Sequence, residues 1–220
     1  MKVEWSTFWP RIVEATGETI TMVLLTLIFS SIIGVLVGLL FFVTRKGNIL
    51  ENRFVFFVLN FLVNVVRPIP FIILLVAISP LTRAVIGTTI GTAAAVFPMT
   101  IAACFAVARV VENNLVSIDP GIIEAAQAMG ANPLQIIFTV LIPEALGPLI
   151  LGLTFVTVGL VDFSAMAGTV GGGGLGDLAM TYGYQRFDTS VMIVTVIILI
   201  ILVQIAQTFG NFLSRFFLRR

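Results

Sequence analysis

The chain has 220 residues, of which 59% are hydrophobic and only 10% are charged. Soluble domains contain about 25% charged residues, so this composition excludes a water-soluble globular protein and predicts a chain surrounded mostly by lipid. Twelve Lys and Arg against eleven Asp and Glu leave a net charge of +1, too little to hold nucleic acid. The absence of histidine and the single cysteine, Cys104, argue against histidine-dependent hydrolases, cysteine metal clusters and internal disulfides.

Apolar runs of the length that crosses a bilayer, about 20 residues, predict an all-α integral membrane protein with five transmembrane helices. The predicted spans are about 19–43, 54–78, 84–108, 141–162 and 191–209. Five spans place the termini on opposite sides, and the excess of Lys and Arg predicts a cytoplasmic C-terminus and an N-terminus outside. The inside set is Arg45, Lys46, Arg53, Arg109, Arg215, Arg219 and Arg220, and the outside set is Lys2, Arg11, Arg83 and Arg186.

The segments that flank the spans differ in their predicted roles. Residues 1–18 place Trp5, Phe8, Trp9 and Ile12 at helical spacing, which predicts a short helix at the outer membrane interface that acts as an anchor. Residues 210–220 are predicted to form a basic cytoplasmic tail.

Small residues recur at four-residue spacing in two of the predicted spans. They are Ser30, Gly34 and Gly38 in the first span and Gly87 and Gly91 at the start of the third. Such spacing lets helix backbones approach closely, so it indicates a packing face, either within the chain or between two copies.

The cytoplasmic loop 109–140 contains the signals for two helices. Asp119 and the proline after it are an N-cap and a first helical residue, and Gly130 is a left-handed stop. Asn132 begins a second helix, and Gln135 completes a capping box with it. The pattern predicts a short helix, a sharp turn and a second helix that runs towards the membrane. The first helix is either an ordinary surface helix or an element that docks into a groove on a partner.

The residues of this loop resemble a known family. Glu124-Ala125-Ala126, Gly130 and the run from Val140 to Pro143 are similar to the EAA loop of permeases of binding-protein-dependent ABC importers. The resemblance extends from about Thr16 to Phe209 and implies the five-span, type I permease fold.

Other stretches resemble the methionine importer permeases within that family. They are Arg67 to Val76, Pro143 to Leu146, Ser164-Ala165-Met166 and the glycine run from Gly171 to Gly176. Asp162-Phe163 departs from that pattern, in which uncharged or small residues are expected.

The resemblance implies the permease subunit of an ATP-driven amino-acid importer, with methionine as substrate, in the bacterial cytoplasmic membrane. It implies a pore formed by two copies of the chain, two separate ATP-binding subunits and an extracytoplasmic solute-binding lipoprotein. The partner subunit would bind ATP, and no cofactor or metal is expected in this chain. The implied coupling residues are Glu124, Ala125, Ala126, Gly130 and Pro143. Glu124 would make a polar contact with the ATPase, and the two alanines would keep the contact surface slim.

Several residues in the spans are candidates for the gate or the transport pathway. Arg67 lies in an apolar run, where it snorkels, forms an ion pair or lines the pathway. Pro68 and Pro70 predict an irregular, pore-lining bend in the second span. Ser164 and Met166 complete the set, and the flexible Met166 side chain suits an apolar plug.

The remaining motifs argue against a motor in this chain. Neither of its lysines, Lys2 and Lys46, follows a phosphate-binding loop. The run from Gly171 to Gly176 has the count of a dinucleotide motif but no strand before it, so a gate hinge or outer loop is favoured. Asp162 is predicted to cap the next helix or to contact solvent, with substrate contact as the alternative. A membrane channel or an intramembrane enzyme is the alternative function.

Overall fold

The computed structural model describes residues 4–218, and these form ten α-helices. The helices are Trp5–Val43 (α1), Arg53–Val66 (α2), Phe71–Ala77 (α3), Ser79–Ile86 (α4), Thr92–Val116 (α5), Pro120–Ala128 (α6), Pro133–Gln135 (α7), Ile142–Ala167 (α8), Gly174–Leu178 (α9) and Thr189–Leu218 (α10). Wider, π-type turns occur at Ile136–Leu141, Gly168–Gly172 and Ala179–Tyr184. Within residues 4–218 there is no strand, which confirms the all-α prediction. Lys2, Arg219 and Arg220 lie outside the described residues.

Four helices in the described part of the chain are long and apolar enough to cross a membrane, or five if α2 and α3 count as one broken span. Their bounds differ from the predicted ones. Helix α5 begins at Thr92 rather than Ala84, because Gly87 and Gly91 have φ angles of +87° and +96° and interrupt the apolar run. Helices α8 and α10 continue beyond the predicted ends of their spans, since backbone hydrogen bonding does not stop where hydropathy falls.

Helix α1 is continuous from Trp5 to Val43, so the prediction of a separate N-terminal interfacial helix was wrong. Its 39 residues make a rod of about 58 Å at 1.5 Å per residue, longer than the 40–45 Å thickness of a bilayer with its headgroups. Phe8 and Ile12 are buried in a cluster with residues of α9 and α10, while Trp9 is exposed. The first turns therefore belong to the packed structure.

The outer surface of α10 is apolar. Ile197 and Ile201 are each 50% exposed, and Ile205 and Phe209 are 61% and 66% exposed. An uninterrupted apolar face of this length is costly in water and favourable in lipid. The burial pattern therefore agrees with the membrane prediction made from composition.

The contacts divide the chain into two compact units. The first comprises the described residues up to Ser30 together with Ile69–Ala103 and Thr157–Gln207. Its core includes Met22, Phe71, Met99 and Ala167. The second comprises Ser31–Pro68, Cys104–Val156 and the described residues from Thr208 onwards.

Glycines on α1 let it approach α5 closely in the second unit. A Cβ at Gly34 would lie 2.6 Å from Val107 Cβ, and a Cβ at Gly38 would lie 2.6 Å from the Ala108 carbonyl oxygen. These distances leave no room for a side chain, which confirms a packing face within the chain. Gly87 and Gly91 have no atom within 4 Å of such a Cβ, so they serve the turn before α5 and were wrongly predicted to pack.

Candidate functional site

Helix α6 has the N-terminus that the sequence predicts. The side chain of Asp119 accepts a hydrogen bond from the Gly121 N–H at 2.8 Å, and Pro120 occupies the first helical position. At the other end Gly130 has a φ of +81°, and the Ala131 N–H donates to the Ala126 carbonyl at 3.1 Å. Both ends of this short helix are therefore held by local bonds.

A second capped segment follows at once. The Gln135 N–H donates to Asn132 Oδ1 and the Asn132 N–H donates to Gln135 Oε1, both at 2.9 Å, which confirms the predicted capping box. The chain then continues through the π-type turn Ile136–Leu141 into α8. Pro143 lies in the first turn of α8 and has no N–H to donate, so the wider turn before it relieves the clash with the preceding carbonyls. Pro143 thus lies at the point where the loop becomes a membrane span, directly after the wider turn.

The outward face of α6 carries Glu124 and Ala125, both exposed. Ala126 is only 4% exposed, because this side of α6 packs against Ile136–Leu141. The expectation that both alanines face a partner was therefore wrong for Ala126. Its small side chain instead lets α6 lie close to its own chain. Met129, at the end of the helix, is 82% exposed.

A buried acid near this loop was missed by sequence reasoning. Glu112 on α5 is 6% exposed, and its Oε2 accepts a hydrogen bond from Arg109 Nη1 at 2.7 Å. Arg45, which follows α1, lies with its Nη1 3.9 Å from Glu112 Oε1. The three-residue spacing of Arg109 and Glu112 could have indicated the closer pair, but the contact with Arg45 comes from the fold.

The loop after α1 contains one carboxyl group with a perturbed pKa. The Gly47 N–H donates to Glu51 Oε2 at 2.9 Å, and this bond, with the nearby Arg53, lowers the pKa of Glu51 below its ordinary value. The carboxylate thus stays ionised and closes the turn that leads into α2.

The second predicted span is broken where the prolines predict. Helix α2 ends at Val66, Arg67 caps it, and α3 begins at Phe71 after Pro70. Pro68 and Pro70 are exposed, as is Arg67, and Arg67 has no ion pair with any residue between 4 and 218. Of the readings that the sequence left open, an ion pair inside the described chain is excluded.

The predicted gate residues occupy different sides of α8. Ser164 is 1% exposed, and its hydroxyl donates to the Val161 carbonyl at 2.7 Å, so it faces the interior of the first unit. Met166 is 37% exposed. The structure therefore does not bring Ser164 and Met166 together on one open face.

The glycine-rich segment is held by two residues of α1 that sequence reasoning did not single out. Glu18 Oε2 accepts a hydrogen bond from the Gly174 N–H at 2.6 Å, and Thr19 Oγ1 accepts one from the Leu175 N–H at 2.9 Å. They cap the N-terminus of α9 from a distant part of the sequence. A Cβ at Gly174, whose φ is +77°, would lie 2.7 Å from Thr19 Oγ1, so only glycine fits this approach.

Asp162 does not cap a helix. It lies inside α8, exposed, before the helix ends at Ala167. The prediction of a cap was wrong because the apolar run fades before the helix does. Solvent contact, the other part of that prediction, is compatible with its exposure.

Comparison with known proteins decides the class of this chain. Residues 30–220 match the family model described as the inner membrane component of binding-protein-dependent transport systems. The chain belongs to this family. It is thus a multi-pass inner membrane permease of an ABC importer, and the channel and intramembrane enzyme alternatives are set aside.

Relatives and solved structures agree with this assignment. The permease is 47% identical over 204 residues to the probable D-methionine transport system permease protein MetI of Vibrio cholerae, covering 93% of this chain and 91% of that protein. It is 45% identical over 157 residues to the D-methionine transport system permease protein MetI of Escherichia coli K12, covering 71% and 72% of the two chains.

Among solved structures, the permease matches a chain of the MetNI methionine ABC transporter in inward-facing conformations. The TM-score is 0.95 and the identity 42%, over 98% of this chain and 99% of that one. An amino acid ABC transporter matches with a TM-score of 0.78 at 19% identity, which shows a common fold.

Proposed function

We propose that this permease imports an amino acid, methionine, as part of an ATP-driven complex. The complex contains two copies of the chain, two ATP-binding subunits and an extracytoplasmic solute-binding lipoprotein. The support is the identity of 47% to a probable D-methionine permease and the TM-score of 0.95 to a chain of the MetNI methionine transporter. In this proposal ATP binds to the partner subunits, and no cofactor is needed in this chain.

The observation that carries the coupling role is the construction of α6. It is capped at both ends, backed by its own chain at Ala126, and presents Glu124 and Ala125 to the outside. Met129 adds an apolar side chain that is 82% exposed outside the predicted spans. A rigid surface with one acid and apolar neighbours suits docking into a groove of the ATPase. Closure of the ATPase pair then pushes on α6 and shifts the spans between two states.

Two charge clusters support the proposed orientation, with the N-terminus outside and the C-terminus in the cytoplasm. Arg45 and Arg109, both assigned to the inside, converge on Glu112. Arg11 and Arg186, both assigned to the outside, converge on Tyr182: Arg11 Nη1 donates to its hydroxyl, and the Arg186 guanidinium carbon lies 4.4 Å from its ring centre. In each set, therefore, two of the basic residues lie together, as residues on the same side of a membrane do.

The pathway roles of Arg67, Pro68, Pro70, Ser164 and Met166 remain part of this proposal. Met166 serves as an apolar plug on the exposed side of α8, and the bend at the two prolines lines the pathway. Ser164 acts from inside the chain by holding α8 in place through its buried position. Met166→Ala tests the plug: it should raise ATP hydrolysis in the absence of substrate, and unchanged basal hydrolysis and uptake would refute it.

Retention of the ATPase tests the coupling role of α6. The permease is purified with its co-expressed ATPase, and the amount retained is compared between the wild type, Glu124→Ala and Gly130→Pro. We expect both variants to lose the ATPase or to hydrolyse ATP without uptake, since one removes the exposed acid and the other the left-handed turn. Glu14→Ala, which removes an exposed acid from α1, is the control. Normal retention and uptake in both variants would refute the assignment of α6.

Uptake by the reconstituted complex tests the substrate. Labelled methionine is offered to proteoliposomes with the solute-binding lipoprotein outside and ATP inside, in competition with other amino acids. We expect ATP-dependent uptake that unlabelled methionine displaces. Uptake of a different amino acid, with none of methionine, would refute the substrate but leave the permease assignment intact.

A further inference from the structure

Asp162 is an exposed acid in the interior of an apolar helix. At 1.5 Å per residue it lies about 30 Å along α8 from Ile142, with roughly 8 Å of helix still to follow. No hydrogen bond or ion pair joins its carboxylate to any residue between 4 and 218. The other acid of this helix, Glu144, lies in the first turn, where the helix dipole favours it. Asp162 has no such compensation.

The rotation of α8 about its axis is fixed by packing within the first unit. Phe163 stacks on Phe71 with ring centres 4.4 Å apart and planes 11° apart. Ser164 and Ala167 are 1% and 0% exposed. These contacts turn Asp162 away from the core of the unit. Met166, four residues later and 37% exposed, lies on the same side of the helix as Asp162.

The free energy needed to keep a carboxylate charged inside a membrane decides which surroundings suit Asp162. A carboxylate facing lipid costs about 2.5–3.5 kcal/mol on insertion scales at the centre of a span, and less towards its ends, where Asp162 lies. A dry contact between two copies would need a cationic group opposite Asp162, or would place two like charges side by side if Asp162 lay on the two-fold axis. A water-filled space satisfies the carboxylate without either penalty.

We propose that Asp162 faces the water-filled translocation pathway and accepts hydrogen bonds from the ammonium group of the amino acid that passes. This deepens the proposed function and rests on it. An ionised carboxylate only accepts hydrogen bonds, and an ammonium group offers three donors, so the pair is complementary. Met166, one turn away, contacts the apolar part of the same molecule. The acid thereby sets a preference for a cationic group.

Cysteine accessibility tests the position of Asp162. Asp162→Cys is made in a Cys104→Ser background, and the complex in permeabilised proteoliposomes is treated with a membrane-impermeant cationic thiol reagent. We expect rapid modification. Ile197→Cys on the apolar face of α10 is the control, expected to react at least about tenfold more slowly because thiols in lipid do not ionise. Equal rates at the two positions, or no reaction at position 162, would overturn the proposal.

The charge of Asp162 is tested at its neighbour. Met166→Cys is modified with a cationic and an anionic reagent of similar size, with Asp162 present and with Asp162→Asn. A carboxylate one turn away favours the cationic reagent, so the ratio of the two rates should fall about three- to tenfold in the Asn background. A purely structural role for Asp162 would change both rates alike, and an unchanged ratio would refute the proposal.

Uptake separates this inference from the proposed function. Asp162→Asn should lower ATP-dependent methionine uptake by about threefold or more, and Asp162→Glu should retain most of it, because only the latter keeps the charge. Normal uptake by Asp162→Asn refutes the role of Asp162 and leaves the importer intact. Failure of the wild type to take up methionine refutes the proposed substrate instead, and the ratio of labelling rates still decides whether the carboxylate faces the pathway.

Discussion

Thr19→Val tests the bond between α1 and α9. The Leu175 N–H is the second donor of α9, so no carbonyl of its own helix can accept from it, and Thr19 Oγ1 at 2.9 Å is its acceptor. Both residues are buried, Thr19 at 1% and Leu175 at 0% exposure. Valine fills nearly the same volume without an acceptor, so the buried N–H loses its partner at a cost of about 1–3 kcal/mol. The expected result is a less stable α9.

Hydrogen exchange measures this loss directly. At about 1.4 kcal/mol per factor of ten, protection of the Leu175 amide in nanodiscs should fall roughly 5- to 150-fold in Thr19→Val. Thr21→Val is the matched control, since the Thr21 hydroxyl donates to the Gly17 carbonyl on the exposed side of α1. It should change protection by less than about threefold. Wild-type protection of Leu175 in Thr19→Val, or an equal fall in Thr21→Val, would refute the reasoning.

Three other substitutions have outcomes that the contacts determine, the first two measured by unfolding in detergent and the third by amide exchange. Arg109→Ala should cost about 3 kcal/mol or more by leaving buried Glu112 without its 2.7 Å partner, and a cost below about 1 kcal/mol would contradict this. Gly38→Val should cost about 1–3 kcal/mol, since its Cβ would lie 2.6 Å from Val111 Cβ; a neutral effect would show that α1 and α5 can separate. Asp119→Ala should cost about 1 kcal/mol of helix stability through the lost cap, measured as faster amide exchange in α6, and unchanged exchange would argue against the cap.

The coupling element was predictable from the sequence because its structure is local. Asp119, Gly130 and the pair Asn132 and Gln135 each act on backbone groups within about three residues, so residue type and spacing suffice. The break at Pro68 and Pro70 has the same origin, because proline acts on its own backbone and that of its neighbours. These features form in the same way regardless of how the rest of the chain folds.

Hydrogen bonds between residues far apart in the sequence could not be predicted from local residue type and spacing. Glu18 and Gly174 are 156 residues apart, and nothing in either local pattern indicates the other. Burial of Ala126 likewise depends on how the chain returns after Gly130. The start of α5 was misplaced because apolar residues continue through Gly87 and Gly91. Hydropathy indicates whether a segment lies in lipid or in water, and it does not indicate where the backbone leaves the helical conformation. Asp162 was misplaced for the same reason.

The seam between α1 and α5 also limits how copies of the chain can associate. Gly34 and Gly38 are occupied by Val107, Ala108 and Val111 of the same polypeptide, so the groove that most often holds paired membrane helices is already filled. A two-fold symmetric pair therefore cannot use Gly34 and Gly38 as its seam, and any close contact between copies has to be made by other residues of the chain.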